Sequence, residues 1–473
     1  MNVRTVVLAA VMGLGGAWAW AADWPTARGN ARRTGNVDGR AGPRSPKVLW
    51  VHESTDQYLS GVTPGGGAVF VPALGTLNTG VLAALATDPA AAGDKRVLWS
   101  KSQPALRLPT VCSPAVVGGR LIFGDGMHQN ANPTLYCVNA GSGTAVWQLP
   151  VPGDLCHIEA TPTVADGRAY FGAGSAGVMC VDVNKVTLDG KEADAAAVAE
   201  AIAGRWKELQ AKYEADKKAD PDFAIPPTED ALPKPAPRVV WRQGGEGGKA
   251  WHVDSPVAVA GDRVVAASAF LEAEKTGERG VYCLNAADGQ VRWRAEVKHN
   301  PWGGPTVAGD LVLVGCSSVR FDPGQLDAAA GEVVALGLAD GQVRWRKDVG
   351  AGVLSSVAVA NGTAVFTATD KMVYALDVTT GQEKWRYEAQ APFFAGAAVA
   401  GDAVYAADLN GVVHAIGMAD GKGRWRMDVG READAPGRVY GSPVVDGGRV
   451  YVATCNLDAG AARKTVVVCI GEK

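Results

Sequence analysis

A fourteen-residue pattern that returns in register constrains this chain more than any other feature. Val373–Arg386 reads VYALDVTTGQEKWR, and Val413–Arg426, Val333–Arg346, Val281–Arg294 and Leu135–Gln148 repeat it, each with Gly ninth and Trp thirteenth. β-Branched and aromatic residues on either side of a Gly-containing turn read as two short strands in a hairpin, because Gly adopts the positive φ that such turns need. Looser copies end at Trp99 and Trp241, and a bare strand carries Trp50, so the equivalent tryptophans are Trp50, Trp99, Trp147, Trp241, Trp293, Trp345, Trp385 and Trp425. From Trp241 onward they recur at intervals of about 52, 52, 40 and 40 residues, close to the period of propeller blades.

A second hairpin precedes most copies. VVGGRLIF after Pro114, TVADGRAYF after Pro162 and VVDGGRVYV after Pro443 each turn on Gly-Gly, Asp-Gly or Gly-Gly. Each unit is therefore a four-stranded meander, A-B-C-D, with Trp on the outermost strand D. Lys47–His52 is a D strand with nothing before it, and Thr465–Ile470 is a C strand with nothing after it. Pairing the two completes a last blade and removes two open sheet edges. The expected fold is all-β: an eight-bladed propeller of four-stranded antiparallel blades over residues 47–473, closed by residues 47–52.

Two segments stand outside the repeat. In blade 3, Asn184–Pro237 separates strand C from strand D. Within it Val198, Ile202, Trp206, Leu209 and Tyr213 share one face of a helix, and a Pro-rich return follows. That helix either packs its stripe on the propeller flank or docks a partner. At the other end, Met1–Ala22 has the basic residue, short apolar run and small-residue cleavage sites of a signal peptide. Residues 23–46 then read as a polar, Gly- and Arg-rich extended arm. The mature chain is expected to be periplasmic or secreted, monomeric and without a transmembrane segment. No cysteine precedes Cys112, so no lipid attachment is expected near the new N-terminus. The 46 basic and 49 acidic residues nearly balance, which excludes the strong field of a nucleic-acid or membrane-surface binder.

The pattern YALD…TGQ..W at Tyr374–Trp385 and its copies resembles the PQQ-like (pyrrolo-quinoline quinone) repeat family of eight-bladed propellers, from about Trp50 to the end. The resemblance implies that the eight tryptophans dock neighbouring blades. It leaves activity open, because the family holds quinone-dependent dehydrogenases as well as non-enzymatic scaffolds of the BamB-like kind. Its dehydrogenases commonly stack the quinone beneath a disulfide between adjacent cysteines. Here Cys112, Cys137, Cys156, Cys180, Cys283, Cys316, Cys455 and Cys469 are all separated, and CxxCH, GxSxG and HExxH are absent. Cys137, Cys180 and Cys283 take the place of Ala335 and Ala375 in other copies, as small apolar residues do, and export leaves a disulfide chemically allowed. The reading is a non-enzymatic scaffold or binding platform in the cell envelope, with protein partners, no cofactor and no metal. The alternatives are a redox enzyme carrying PQQ and a propeller that binds a small ligand.

The working surface is expected at the mouth formed by the D–A and B–C connections, since loop elaboration on one face of a rigid scaffold is where binding residues collect. The B–C loops are long at Pro72–Gly80, Gly124–Thr134, Phe270–Gly280, Ser317–Gly331 and Asn456–Lys464. The D–A connections carry His157 and Glu159 before blade 3, Trp251, His252 and Asp254 before blade 4, and His299 and Trp302 before blade 5. Arg438 and Tyr440 precede blade 8. Imidazoles, carboxylates and indoles converging there suit a small ligand or a peptide ahead of a metal, for which no ligand-spacing motif is present.

Overall fold

The computed structural model describes residues 24, 26–35, 39–128, 130–320, 323–457 and 464–473. The expected signal peptide, residues 1–22, lies outside them. Among the described residues eight antiparallel blade sheets follow one another, seven in strand order A-B-C-D, with a small hairpin of Gly245–Glu246 and Lys249–Ala250 apart from them. In the eighth, Pro46–Ser54 pairs with the C-terminal strand Thr465–Glu472, outside Arg449–Ala453 and Val444–Asp446. The chain thus closes the ring with its two ends.

The repeat residues account for how blades stack. In each blade the Trp of strand D sits opposite a small residue of strand C: Ala84 for Trp99, Cys137 for Trp147, Ala335 for Trp345, Cys469 for Trp50. A bulge beside that pair re-aims the strand. The indole then reaches the next blade. Trp345 Nε1 donates to the Val378 carbonyl at 3.0 Å and Trp385 Nε1 to Met418 at 2.9 Å, both in the following C–D turn. The ring covers the turn glycine of that blade; Gly381 has φ +71°, and a Cβ there would lie 2.6 Å from Trp345. Thus the ninth-place Gly answers two demands, a left-handed backbone and close approach of an indole.

Blade 3 departs from the pattern. Strand C runs on through Leu188, past the expected start of the insertion at Asn184, and hairpins with Lys191–Asp194; strand D starts at Ala236. Helix Ala195–Ala219 follows, its N-terminus capped by Asp194 Oδ1, which accepts from Ala196 N and Ala197 N. Val198 and Ile202 are buried with Trp147 and Val186 on the flank, and Trp206 and Leu209 pack against the same cluster. With the C–D turn replaced by this insertion, Trp147 Nε1 has no acceptor among the described residues. All eight cysteines are buried free thiols; burial pushes Cys137 and Cys180 up to about 12.

The N-terminal arm has a role that its composition does not announce. It runs along the innermost strands of successive blades. Trp24 exchanges backbone hydrogen bonds with Val116, and the carbonyls of Ala31, Arg32 and Thr34 accept from Val259, Val307 and Val359 at 2.8, 2.9 and 2.9 Å. These partners lie just before the A–B turns, so the arm crosses the channel at the end opposite the D–A mouth. Trp24 is buried, as are Arg28 and Arg33.

Candidate functional site

The arm turns the channel into a cavity of about 940 Å³, floored by Ala27, Arg28 and Arg33 and walled by D–A and B–C residues. Arg28 Nη2 donates to the Ala397 carbonyl at 2.8 Å. Arg33 Nη1 donates to Pro305 O at 2.8 Å and Pro256 O at 3.2 Å, and its Nη2 to Ser356 Oγ. Neither guanidinium has a carboxylate partner among the described residues. Burial pushes Arg28 down to about 10; burial, then the neighbouring Arg28 charge, pushes Arg33 down to about 9. Both remain charged at neutral pH, so the floor is cationic. Arg28 Nε, Arg33 Nε, Ser60 Oγ and Trp302 Nε1 are buried without a hydrogen-bond partner among the described residues, and these residues line this cavity.

A polar cluster forms one wall. His157 Nε2 lies 2.7 Å from Asp254 Oδ1, and His252 Nε2 lies 2.9 Å from the same oxygen. Arg320 from the B–C loop of blade 5 reaches Asp254 at 2.8 Å, Glu159 at 3.0 Å and His128 Nδ1 at 2.8 Å. His128 belongs to the B–C loop of blade 2; its Nε2 faces Glu274 at 3.2 Å and its backbone N–H donates to Glu159. Burial would raise the Asp254 pKa, but His157, Arg320 and His252 hold it well below the ordinary carboxylate value. Burial also opposes protonation of His157, and the Asp254 charge outweighs it, so the His157 pKa is raised. His128 is lowered by burial and then by Arg320.

Of the residues singled out in the sequence, His157, Glu159, His252 and Asp254 come together in this wall. Trp302 joins them through its ring, with the Arg320 guanidinium 4.8 Å from the centroid. Tyr440 also lines the cavity, edge-on to Phe394 at 5.2 Å. Three expectations are corrected. Trp251 is fully buried, its ring tilted against Tyr282 with centroids 4.1 Å apart in the blade core, because an indole is more stable between sheets than in a wet mouth. His299 is half-buried near Asp348, away from the other imidazoles. Arg438 is held by backbone bonds to Cys455 and does not line the cavity. The third imidazole is His128 instead. His128, Glu274 and Arg320 sit in B–C loops that the sequence marks as long, but no repeat register singles out those side chains.

A family model described as outer membrane protein assembly factor BamB matches residues 42–204, 231–320 and 324–463. No curated relative matches the sequence. Among solved structures, BamB from Moraxella catarrhalis is 12% identical with a TM-score of 0.56, over 89% of this chain and 97% of that one. A europium-containing methanol dehydrogenase is 12% identical with a TM-score of 0.60, over 95% and 98%. A quinohemoprotein alcohol dehydrogenase from Comamonas testosteroni is 13% identical with a TM-score of 0.59, over 95% and 81%. At these identities the structural likeness carries the fold alone.

Proposed function

This chain belongs to the PQQ-like repeat family of the outer membrane protein assembly factor BamB, and we propose that it serves in the cell envelope as a binding protein for a small anionic molecule, without catalysis. The observation that carries this reading is the cavity floor: two buried guanidiniums with no carboxylate partner among the described residues, beneath about 940 Å³ of space. Uncompensated buried charge is costly, and an anion from outside relieves it. The volume suits a ligand of metabolite size. Trp302 Nε1 and the arginine Nε atoms, which find no acceptor among the described residues, give such a ligand donors to bind. Carboxylate- or phosphate-bearing molecules fit this chemistry. Pyrrolo-quinoline quinone is one such anion, and finding it bound would move the reading toward redox chemistry.

A second reading, a protein-docking platform, draws on the insertion. Phe223 and Ile225, just beyond the long helix, are 82% and 85% exposed, and two exposed apolar side chains two residues apart suit a partner surface. Native mass spectrometry of the mature chain purified from its own host separates the two. One small anionic species per chain supports the ligand reading. A recurrent polypeptide on a chain free of small molecules contradicts it and favours the platform.

A further inference from the structure

We propose that His128, His157 and His252, together with the Asp254 carboxylate, bind a first-row divalent cation, Zn²⁺ in the first instance, in the wall of the channel. The inference stands on this cluster and holds whether or not the cavity also takes an anion.

The three imidazoles come from three separate connections, and one nitrogen from each lies within 4.8 Å of the others. Tetrahedral zinc with Zn–N bonds of about 2.0–2.1 Å places ligand nitrogens roughly 3.4 Å apart. The site therefore closes by about an ångström of side-chain rotation on loading. Asp254 Oδ1 already stands 2.7 and 2.9 Å from His157 Nε2 and His252 Nε2, so two imidazoles and a carboxylate face one point.

A second observation is independent of that spacing. His252 is fully buried, and its Nε2 faces Asp254 Oδ1 at 2.9 Å without the geometry of a hydrogen bond to any described residue. Its Nδ1 lies 3.2 Å from Ser175 Oγ. The tautomer in which Nδ1–H donates to Ser175 turns the Nε2 lone pair on the Asp254 oxygen 2.9 Å away, a repulsion that a cation held by both relieves, as in metal-ligating histidines held by their far nitrogen.

Charge points the same way. Asp254, Glu159 and Glu274 face the single guanidinium of Arg320 and the imidazoles. With neutral imidazoles that leaves a surplus of two negative charges, which a divalent ion neutralises. Arg320 is the competitor, since it contacts both Asp254 and His128 Nδ1. A metal displaces it toward Glu159 and the Trp302 ring, both of which it already touches.

The test is calorimetric titration of the chelator-stripped mature chain with ZnCl₂, with Co²⁺ absorption as the geometric probe. One Zn²⁺ per chain and visible bands of tetrahedral Co²⁺ are expected. His128→Ala, at a partly exposed loop position, should weaken Zn²⁺ binding about tenfold or more with an unchanged circular dichroism spectrum. Arg320→Gln should tighten it, which a purely structural role for the cluster does not produce. Absence of stoichiometric Zn²⁺ binding by both the wild type and Arg320→Gln, or binding indifferent to His128→Ala, overturns the proposal.

Discussion

The Trp345 indole lies against the backbone of Gly381 so closely that a Cβ at Gly381 would stand 2.6 Å from the ring. This one contact joins the two most regular positions of the repeat across a blade boundary. Gly381→Ala must push the ring away and also hold a side chain at φ +71°. A loss of about 2–4 kcal/mol is expected in urea denaturation. A loss below about 1 kcal/mol would show that the blades slide freely.

Trp345→Phe and Trp147→Phe give up similar ring area, but only Trp345 donates its N–H, to Val378 O at 3.0 Å. Trp147 Nε1 has no acceptor among the described residues. Trp345→Phe should therefore cost about 1–2 kcal/mol more than Trp147→Phe, from the lost bond and the stranded carbonyl. Equal costs in parallel denaturation curves would remove the hydrogen bond from the account of blade docking.

Two truncations separate the arm from the closing strand. A chain beginning at Pro46 keeps the pairing of Pro46–Ser54 with Thr465–Glu472 and loses the channel floor together with the Pro43 carbonyl that accepts from Trp425 and the bonds of Arg44 and Ser45 to Glu472. It should stay monomeric with a lowered Tm. A chain beginning at Thr55 leaves Thr465–Glu472 as an open edge and should self-associate. Size-exclusion chromatography with light scattering distinguishes them; a monomeric second truncation with an unchanged Tm would contradict the ring-closing role.

Asp125 supplies a pH dependence. Its carboxylate accepts from Thr134 N, Tyr136 Oη and Leu108 N, but burial outweighs these bonds and lifts it to about 6. Between the ordinary carboxylate pKa of about 4 and this value, the folded chain keeps a proton that the unfolded chain has lost. Stability from this group is thus present below about pH 4 and falls as pH rises through about 6, by on the order of 2–3 kcal/mol. Asp125→Asn should show a shallower fall in Tm from pH 4 to 6.5, although its amide meets the same donors less well and lowers Tm throughout. An unchanged slope would place the titration elsewhere.

The blades were legible because each one repeats the same two requirements, a turn Gly and an indole facing a small residue, and repetition makes a local signal unmistakable. The cluster was half legible. His157, His252 and Asp254 occupy matching places before strand A, whereas His128, Glu274 and Arg320 stand in loops whose lengths differ from blade to blade. Trp251 misled because its neighbours face the mouth while its own ring turns into the sheet against Tyr282. Arg28 and Arg33 gave no sign of their place, since their partners are backbone carbonyls and a hydroxyl of distant blades. An Arg- and Gly-rich segment reads as solvated unless the whole ring is in view.

The most direct test of the account is calorimetry with citrate, a small tricarboxylate, on the wild type and Arg28→Met. Met keeps much of the side-chain volume and removes one of the two floor charges. One citrate per chain is expected for the wild type, and for Arg28→Met a Tm within a few degrees but binding weakened by about tenfold or more, the loss of one buried charge-assisted contact. No citrate binding by the wild type, or equal binding by both proteins, would contradict an anion site on the channel floor.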